Sequence, residues 1–258
     1  CDPRNIHIVP ESYFNVIDRE PSTKELSLNL KTDFNSLIFG QITGGDPESD
    51  RKNLFYAIKW FCEAFKDDPS VGVIIKTNSG RNTKIDKRVT MNMLRKLLAE
   101  VRQGTGPTFY LLHGHMTEEE IAALYRHQKV KALVSLTRGE GFGLPILEAA
   151  ACDLPVIATN WSAHTEFLRL GKSVLIDYDL VEIPPQRIDN KIFIEGARWA
   201  MPAVDDAKKK LLKFRKSSSL PTAWAKKLGE KIRQNYSQQA VNKKYTATWK
   251  NISEKLET

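Results

Sequence analysis

Cysteine is scarce in this chain of 258 residues, where Cys1, Cys62 and Cys152 are the whole set. Three cysteines without CxxC spacing form neither a disulfide framework nor a zinc site. We therefore expect packed, reduced thiols in a cytoplasmic protein. The five histidines make no HExxH or comparable pattern, so no metal site is predicted.

Long apolar runs are also lacking, and none approaches the roughly 18–20 residues that a membrane-spanning helix needs. Hydrophobic residues make up 41% and charged residues 27% of the chain, which argues against wholesale disorder. The sequence starts at Cys1 without an initiator Met or a basic-then-apolar signal region. We expect it to be part of a longer protein.

The net charge of +8 is concentrated in one segment. Residues 191–233 hold 12 Lys or Arg and 4 Asp or Glu, which accounts for the whole excess. Two interpretations stay open: solvated helix faces, or attraction of a membrane-peripheral protein to an anionic membrane surface. No nucleic-acid-binding signature is present, so a nucleic acid partner is not expected.

Short apolar runs alternate with helical stretches between residues 36 and 176. Six runs have the near-continuous apolar character of buried parallel strands: 36–39, 71–75, 108–112, 132–135, 156–158 and 173–176. The stretches between them predict helices at 53–65, 90–103, 118–127, 145–151 and 163–170. Thr117 followed by Glu120 matches a capping box at one helix start. This alternation predicts an α/β fold with a doubly wound parallel, Rossmann-like sheet.

The flanking regions follow another pattern, which suggests three parts. Residues 1–35 form a leading segment or linker, with 7–10 as a short extended strand. Residues 36–205 form the Rossmann-like domain, in which 177–195 is an excursion or loop around Pro184-Pro185. From Ile194 onward the chain reads as helical with a break at 217–221, so 206–258 is predicted to be a helical C-terminal tail.

The string TRGEGFGLPILEAAA, residues 137–151, directly follows the fourth predicted strand. Alternating glycines let backbone amides approach a ligand with no Cβ in the way, and Pro145 suits the first helical position. A glycine-rich loop that opens a helix attracts anions through free amides and the positive end of the helix dipole. The string therefore predicts a ligand that carries phosphate.

Two carboxylates bracket this string, Glu140 in the loop and Glu148 eight positions later. A carboxylate beside a phosphate repels it unless the carboxylate faces another part of the ligand. Sugar hydroxyls are the natural partners, and each charge-assisted hydrogen bond to them contributes about 1.5–3 kcal/mol. Phosphate with polyols on both sides describes a nucleotide sugar.

These residues resemble the retaining glycosyltransferases of the GT-B fold, sequence family 4 (glycosyl transferases group 1). Glu140 and Glu148 match the E-x7-E motif of that family. Residues 160–168 (NWSAHTEFL) and 199–202 (WAMP) resemble elements found downstream in one branch. The resemblance covers roughly residues 36–205. It implies one half of a GT-B fold, the C-terminal donor-binding domain, whose N-terminal acceptor domain is missing from this chain.

The resemblance also implies roles for individual residues. Glu140 would contact the donor sugar as the catalytic residue, and Glu148 would bind the ribose. Lys52 would bind the diphosphate. Gln41 stands where the family usually has Arg, which leaves Arg51 or Arg138 to supply that charge. The amides near the sugar and diphosphate would come from Gly141, Phe142, Gly143 and Leu144. Such enzymes generally need no metal, so we expect no cofactor besides the donor substrate.

The expected activity is that of a retaining hexosyltransferase, as in polysaccharide biosynthesis. One alternative is a non-catalytic nucleotide-binding or scaffolding module derived from a transferase. A remote alternative is a nicotinamide-dependent oxidoreductase, but the first strand ends in FGQITGGDP and not in GxGxxG. The base, the sugar, the acceptor and the oligomeric state stay open.

Overall fold

The computed structural model describes residues 6–19, 26–41 and 46–256. Its main sheet has six parallel strands: β1 Phe34–Phe39, β2 Val71–Thr77, β3 Thr108–His113, β4 Val130–Ser135, β5 Val156–Thr159 and β6 Val174–Ile176. Their order is β3-β2-β1-β4-β5-β6. Each predicted strand is present within two residues at either end, so the predicted doubly wound sheet is confirmed.

Helices connect these strands as predicted: α1 Leu54–Ala64, α2 Lys84–Val101, α3 Glu118–Arg126, α4 Leu144–Ala151 and α5 His164–Leu168. The predicted capping box of Thr117 and Glu120 is present before α3. Helix α2 begins six residues earlier than predicted, because Thr83 and Asp86 form a second capping box. The Asp86 carboxylate accepts the Thr83 amide at 2.9 Å. The capping-box sequence pattern has Glu or Gln at the third helical position, and Asp86 does not match it. The sequence pattern therefore does not predict this helix start.

Both faces of the sheet are buried, which is the property that makes its strands almost continuously apolar. Along β1, Leu37 points into a core shared with α3 and α4, while Ile38 points into a core shared with α1 and α2. The alternation continues in the neighbouring strands, where Leu37 lies beside Ile74 of β2 and Leu133 of β4. Because both faces of the sheet are covered by these cores, a ligand can reach the sheet only at the ends of its strands.

The region after β6 differs from the prediction. Strands β7 Tyr178–Glu182 and β8 Arg198–Pro202 pair in antiparallel register, so the predicted loop at 177–195 and the helix from Ile194 were wrong there. Paired residues of the two strands lie 16 or more positions apart in sequence. Neither segment alone has a hydrophobic pattern that predicts a strand. The buried Trp199 anchors the pair against the β4–α4 loop.

Three helices complete the chain: α6 Val204–Lys216, α7 Ser219–Tyr236 and α8 Gln238–Leu256. The predicted break falls between α6 and α7, although Pro221 belongs to the first turn of α7, where proline is tolerated. Phe214 of α6 packs on one face of the sheet and Ile232 of α7 on the other. These two helices therefore close the sheet on both sides.

The leading segment contains a 3-10 turn at Asn15–Asp18, whose Ile17 is buried. The strand predicted at 7–10 was wrong, since residues 7–10 have no strand partner among the described residues. Cys62 is buried and Cys152 half-buried, both as free thiols, and Cys1 lies outside the described residues. Within the described ranges, no helix has the length and apolar character needed to cross a membrane.

Candidate functional site

The site lies where the order of the strands reverses, between β1 and β4. Connections on either side of this point leave the sheet in opposite directions, which opens a crevice beyond the carboxyl ends of the strands. The β1–α1 and β4–α4 loops face each other there. A cleft of about 760 Å³ extends from this point across the ends of β1 and β2.

Backbone and buried side-chain hydrogen bonds hold the two loops together. The Arg51 carbonyl accepts the Arg138 amide at 2.9 Å and the Thr137 hydroxyl at 3.1 Å. Asn53, fully buried with a left-handed φ of 55°, donates its side-chain amide to the Leu136 carbonyl at 3.0 Å. Side chains that the two loops carry are therefore fixed relative to each other.

Glu140 is the centre of this arrangement, with only 7% of its side chain exposed. Its carboxylate receives the Lys52 ammonium at 2.6 Å and the Arg51 guanidinium at 3.2 Å. Burial by itself raises the pKa of Glu140, but attraction and hydrogen bonds from Lys52 and Arg51 outweigh it and hold the pKa below its ordinary value. The Ser162 hydroxyl fixes the backbone, since it accepts the Glu140 amide at 2.9 Å and donates to the Glu140 carbonyl at 2.8 Å.

Arg138 lies apart from this group. Its side chain is fully buried and faces Glu48, whose carboxylate it meets at 3.2 Å. Its guanidinium also stacks on Trp199, 5.0 Å from the ring centroid. Of the two arginines that the sequence offered for diphosphate binding, the structure therefore brings Arg51 to the cleft and leaves Arg138 as an internal support of the β4–α4 loop.

The glycine-rich loop ends at Gly143, the N-cap of α4, with a φ of +92°. A Cβ there would lie only 3.1 Å from the Cβ of His164, so a larger residue would be strained in its backbone and crowded by its neighbour. Pro145 occupies the second position of α4 and not the predicted first. Among the described residues, no acceptor is bound by the amides of Gly141, Phe142, Gly143 and Leu144. These amides are available to an anion.

Glu148 lies in the second turn of α4, and its carboxylate accepts the Tyr125 hydroxyl at 2.9 Å. Burial raises the pKa of Glu148 to about 7, and the nearby charge of Glu118 adds to the rise. The Tyr125 hydrogen bond acts in the opposite direction without offsetting the burial. The two glutamates of one motif therefore stand in opposite electrostatic environments.

Several residues of the site were missed by sequence reasoning. Tyr125 and Ser162 lie 23 and 22 positions from the glutamates they contact, and no spacing rule links them. His164 is fully buried with Nε2 2.7 Å from the Thr159 carbonyl oxygen, and its Nδ1 meets no partner among the described residues. Asn53 had a usable signal, because asparagine directly before an apolar helical run is a common N-cap.

The chain is similar in sequence and in fold to known glycosyltransferases. Residues 96–182 match the family model of glycosyl transferases group 1. A probable sucrose-phosphate synthase from Thermosipho melanesiensis is 29% identical over 126 residues, which span 47% of this chain and 26% of that protein. The chain thus covers about a quarter of the length of this curated relative.

Two solved structures show the same fold. One is the C-terminal domain of a glycosyl transferase group 1 family protein from Francisella tularensis, with a TM-score of 0.54 and 19% identity over 80% of this chain and 88% of that one. The other is HepE from Anabaena in complex with UDP and glucose, with a TM-score of 0.56 and 14% identity over 84% of this chain and 48% of that one. The first alignment covers nearly all of a C-terminal domain, so the fold is that of the C-terminal, Rossmann-like half of a GT-B protein.

Proposed function

Because this chain contains a glycosyl transferases group 1 domain of the GT-B type, we propose that it is the donor-binding half of a retaining hexosyltransferase. It binds a nucleoside diphosphate sugar and presents the sugar for transfer to an acceptor hydroxyl. The observation that carries the proposal is the convergence of Lys52, Arg51 and Glu140 from two loops at the switch point of the sheet.

Lys52 and Arg51 are suited to hold the donor diphosphate. About a third of each side chain is exposed, 31% for Lys52 and 34% for Arg51, although both contact Glu140. Cations aimed at a departing diphosphate stabilise the charge that develops as the glycosidic bond breaks. The free amides at the start of α4 provide further hydrogen-bond donors for the diphosphate, and no carboxylate of the described residues occupies them. The diphosphate therefore competes with Glu140 for the two cations.

Glu140 would contact the donor sugar as the catalytic residue. Its low pKa keeps the carboxylate ionised, as required to accept sugar hydroxyls and to stabilise positive charge at the reacting carbon. Glu148 would bind the ribose hydroxyls, positioned by Tyr125. Gly141, Phe142, Gly143 and Leu144 would lie beside the phosphates, and their free amides support this placement.

The acceptor-binding half would lie outside this chain, as the partial coverage of its relatives suggests. Closing two lobes brings the acceptor to the donor, and this positioning contributes up to about 7–11 kcal/mol to catalysis. The isolated chain should therefore bind donor without efficient transfer. A non-catalytic binding module would bind in the same way, and it would stay inactive when an acceptor half is supplied.

Isothermal titration with UDP-, GDP-, ADP- and TDP-glucose tests the proposal. UDP-glucose is the first candidate, because the structurally similar HepE was solved with UDP and glucose. Binding is expected in the presence of a chelator, and Lys52→Met should weaken it. Lys87→Met is the matched control, because Lys87 is exposed on α2 outside the cleft. If no nucleotide sugar binds at millimolar concentration while circular dichroism shows a folded chain, the proposal fails.

A further inference from the structure

Lys76 is a buried cation at the carboxyl end of β2, one strand further from β4 than the site described above. Only 5% of the residue is exposed, and it forms part of the wall of the cleft. Its ammonium donates to the Asn78 side-chain oxygen at 2.8 Å and to the Gly114 carbonyl at 2.5 Å. A lysine ammonium has three donors, so one donor and the unit charge are left over.

Three cations of the site described above are paired with carboxylates. Lys52 and Arg51 contact Glu140, and Arg138 contacts Glu48. Among the described residues, no carboxylate lies within ion-pair distance of Lys76. Burial alone lowers the pKa of Lys76, with no attraction from a nearby anion to offset it. A buried ammonium with neutral partners only is costly, and an anionic ligand would remove that cost.

A second cation, Arg187, lines the same cleft. Arg187 lies in the short 3-10 turn Pro185–Arg187, between β7 and β8. Its guanidinium stacks on the Phe193 ring, 4.3 Å from the centroid. Within the part of the chain that the structure describes, this guanidinium donates no hydrogen bond. The charge of Arg187 helps to lower the pKa of Asp189, but the carboxylate of Asp189 accepts hydrogen bonds from the three backbone amides of residues 191–193.

We infer that Lys76 and Arg187, which line the same cleft, form a phosphoryl-binding subsite there. The buried Thr77 hydroxyl, which has no partner among the described residues, lies at the same strand end. The inference rests on the proposed function for the kind of ligand, a phosphorylated sugar or nucleotide. Two sources share this chemistry, the diphosphate of the donor and a phosphate group carried by the acceptor.

Titration of Lys76→Met distinguishes these sources. The probes are inorganic phosphate, UDP, and glucose 6-phosphate in the presence of saturating UDP, with Lys87→Met as the matched control. A loss of about tenfold or more in UDP affinity would assign the subsite to the donor. Unchanged UDP affinity with loss of glucose 6-phosphate binding would assign it to the acceptor. Loss of inorganic phosphate binding in a chain that binds no nucleotide would support the subsite and refute the proposed function.

Equal affinities of Lys76→Met and the wild type for every probe that binds would overturn the inference, as would a wild type that binds none of the three. Lys76→Met should raise the melting temperature at pH 7, because it replaces an uncompensated buried charge by an apolar chain of similar length. If that variant does not fold, Arg187→Met carries the same test, since Arg187 is only half-buried on the excursion between β7 and β8.

Discussion

Replacing Glu148 by Gln should make the unliganded protein more stable and its binding of donor weaker. Burial raises the pKa of Glu148 from 4.5 to about 7, so the folded protein holds its proton over a range where the unfolded chain has lost it. The contribution of Glu148 to the stability of the wild type therefore falls as pH rises from about 4.5 to about 7, and it is level above that. This rise in the pKa of Glu148 lowers the free energy of unfolding by about 3 kcal/mol at pH 8.

Gln keeps the shape and the Tyr125 contact but carries no charge to desolvate. The variant should match the wild type near pH 4.5 and exceed it by up to about 3 kcal/mol at pH 8. For a domain of this size this is a rise of roughly 6–12 °C in melting temperature. Scanning calorimetry at pH 5 and pH 8 measures the difference, and a gap of equal size at both pH values would refute the reasoning.

Donor affinity should change in the other direction. Ribose hydroxyls donate better to a carboxylate than to an amide, so Glu148→Gln should lower the affinity for UDP-glucose by about 1.5–3 kcal/mol above pH 7. In the wild type the affinity should rise as pH rises through about 7, and in the variant it should not. UDP-glucose suits this measurement because its phosphates are diesters and do not titrate near neutrality.

Glu140 supplies the matched control from the same motif. Its pKa is lowered by Lys52 and Arg51, so its favourable contacts are present at neutral pH and are lost as pH falls. Glu140→Gln should thus destabilise the protein at pH 8, opposite in sign to Glu148→Gln. Equal signs for the two variants would show that general effects of the substitution dominate.

Three further predictions follow from the same geometry. Gly143→Ala should cost about 1–3 kcal/mol in unfolding free energy, because of its positive φ and the nearby His164, whereas Gly141→Ala has open space around it and should leave melting unchanged; similar melting of both would contradict this. Lys52→Met should weaken UDP-glucose binding about 10- to 100-fold in titration calorimetry, and undiminished affinity would remove Lys52 from the diphosphate site. Residues 191–233 should bind anionic vesicles weakly and only at low salt in co-sedimentation, with neutral vesicles as control, and no difference between the two lipids would leave this segment as solvated helix faces.

The charge of that last segment is smaller in effect than its count suggests. Four of its 12 cations lie in ion pairs with carboxylates outside or inside the segment. The pairs are Lys208 with Glu63, Lys210 with Asp206, Arg215 with Asp68 and Arg233 with Asp153. Of the eight remaining cations, Lys191 and Arg198 precede α6, and the other six are divided equally between α6 and α7. Because α6 and α7 lie on opposite faces of the sheet, these cations do not share one plane.

The sheet could be predicted because its strands are buried on both faces and are therefore short, almost continuously apolar runs in the sequence. The hairpin of β7 and β8 could not, because its pairing joins segments that are separately unremarkable. Helix caps were readable where they used Glu and were missed where Asp replaced it, as at Asp86. Local structure could thus be predicted from the sequence, whereas contacts between distant segments could not.

The same division applies to the site. The segment 137–151 allowed Glu140, Glu148 and the free amides to be predicted, since all of them lie in one continuous stretch of sequence. Arg51 and Arg138 were equivalent candidates in sequence, and only the direction of each side chain in the folded chain separates them. Tyr125 and Lys76 gave no signal, because an apolar strand or helix is an ordinary place for either residue.

The bonds that assemble the site span long stretches of the chain, 88 positions from Lys52 to Glu140 and 90 from Arg138 to Glu48. Closing such loops is slow and brings no reward until β1 and β4 lie side by side. A nascent or partly unfolded chain that lacks this docking has no site at all. Occupancy by ligand therefore reports the docking of β1 against β4, and ligand at 100 times its dissociation constant would protect the chain from unfolding by about 2.7 kcal/mol.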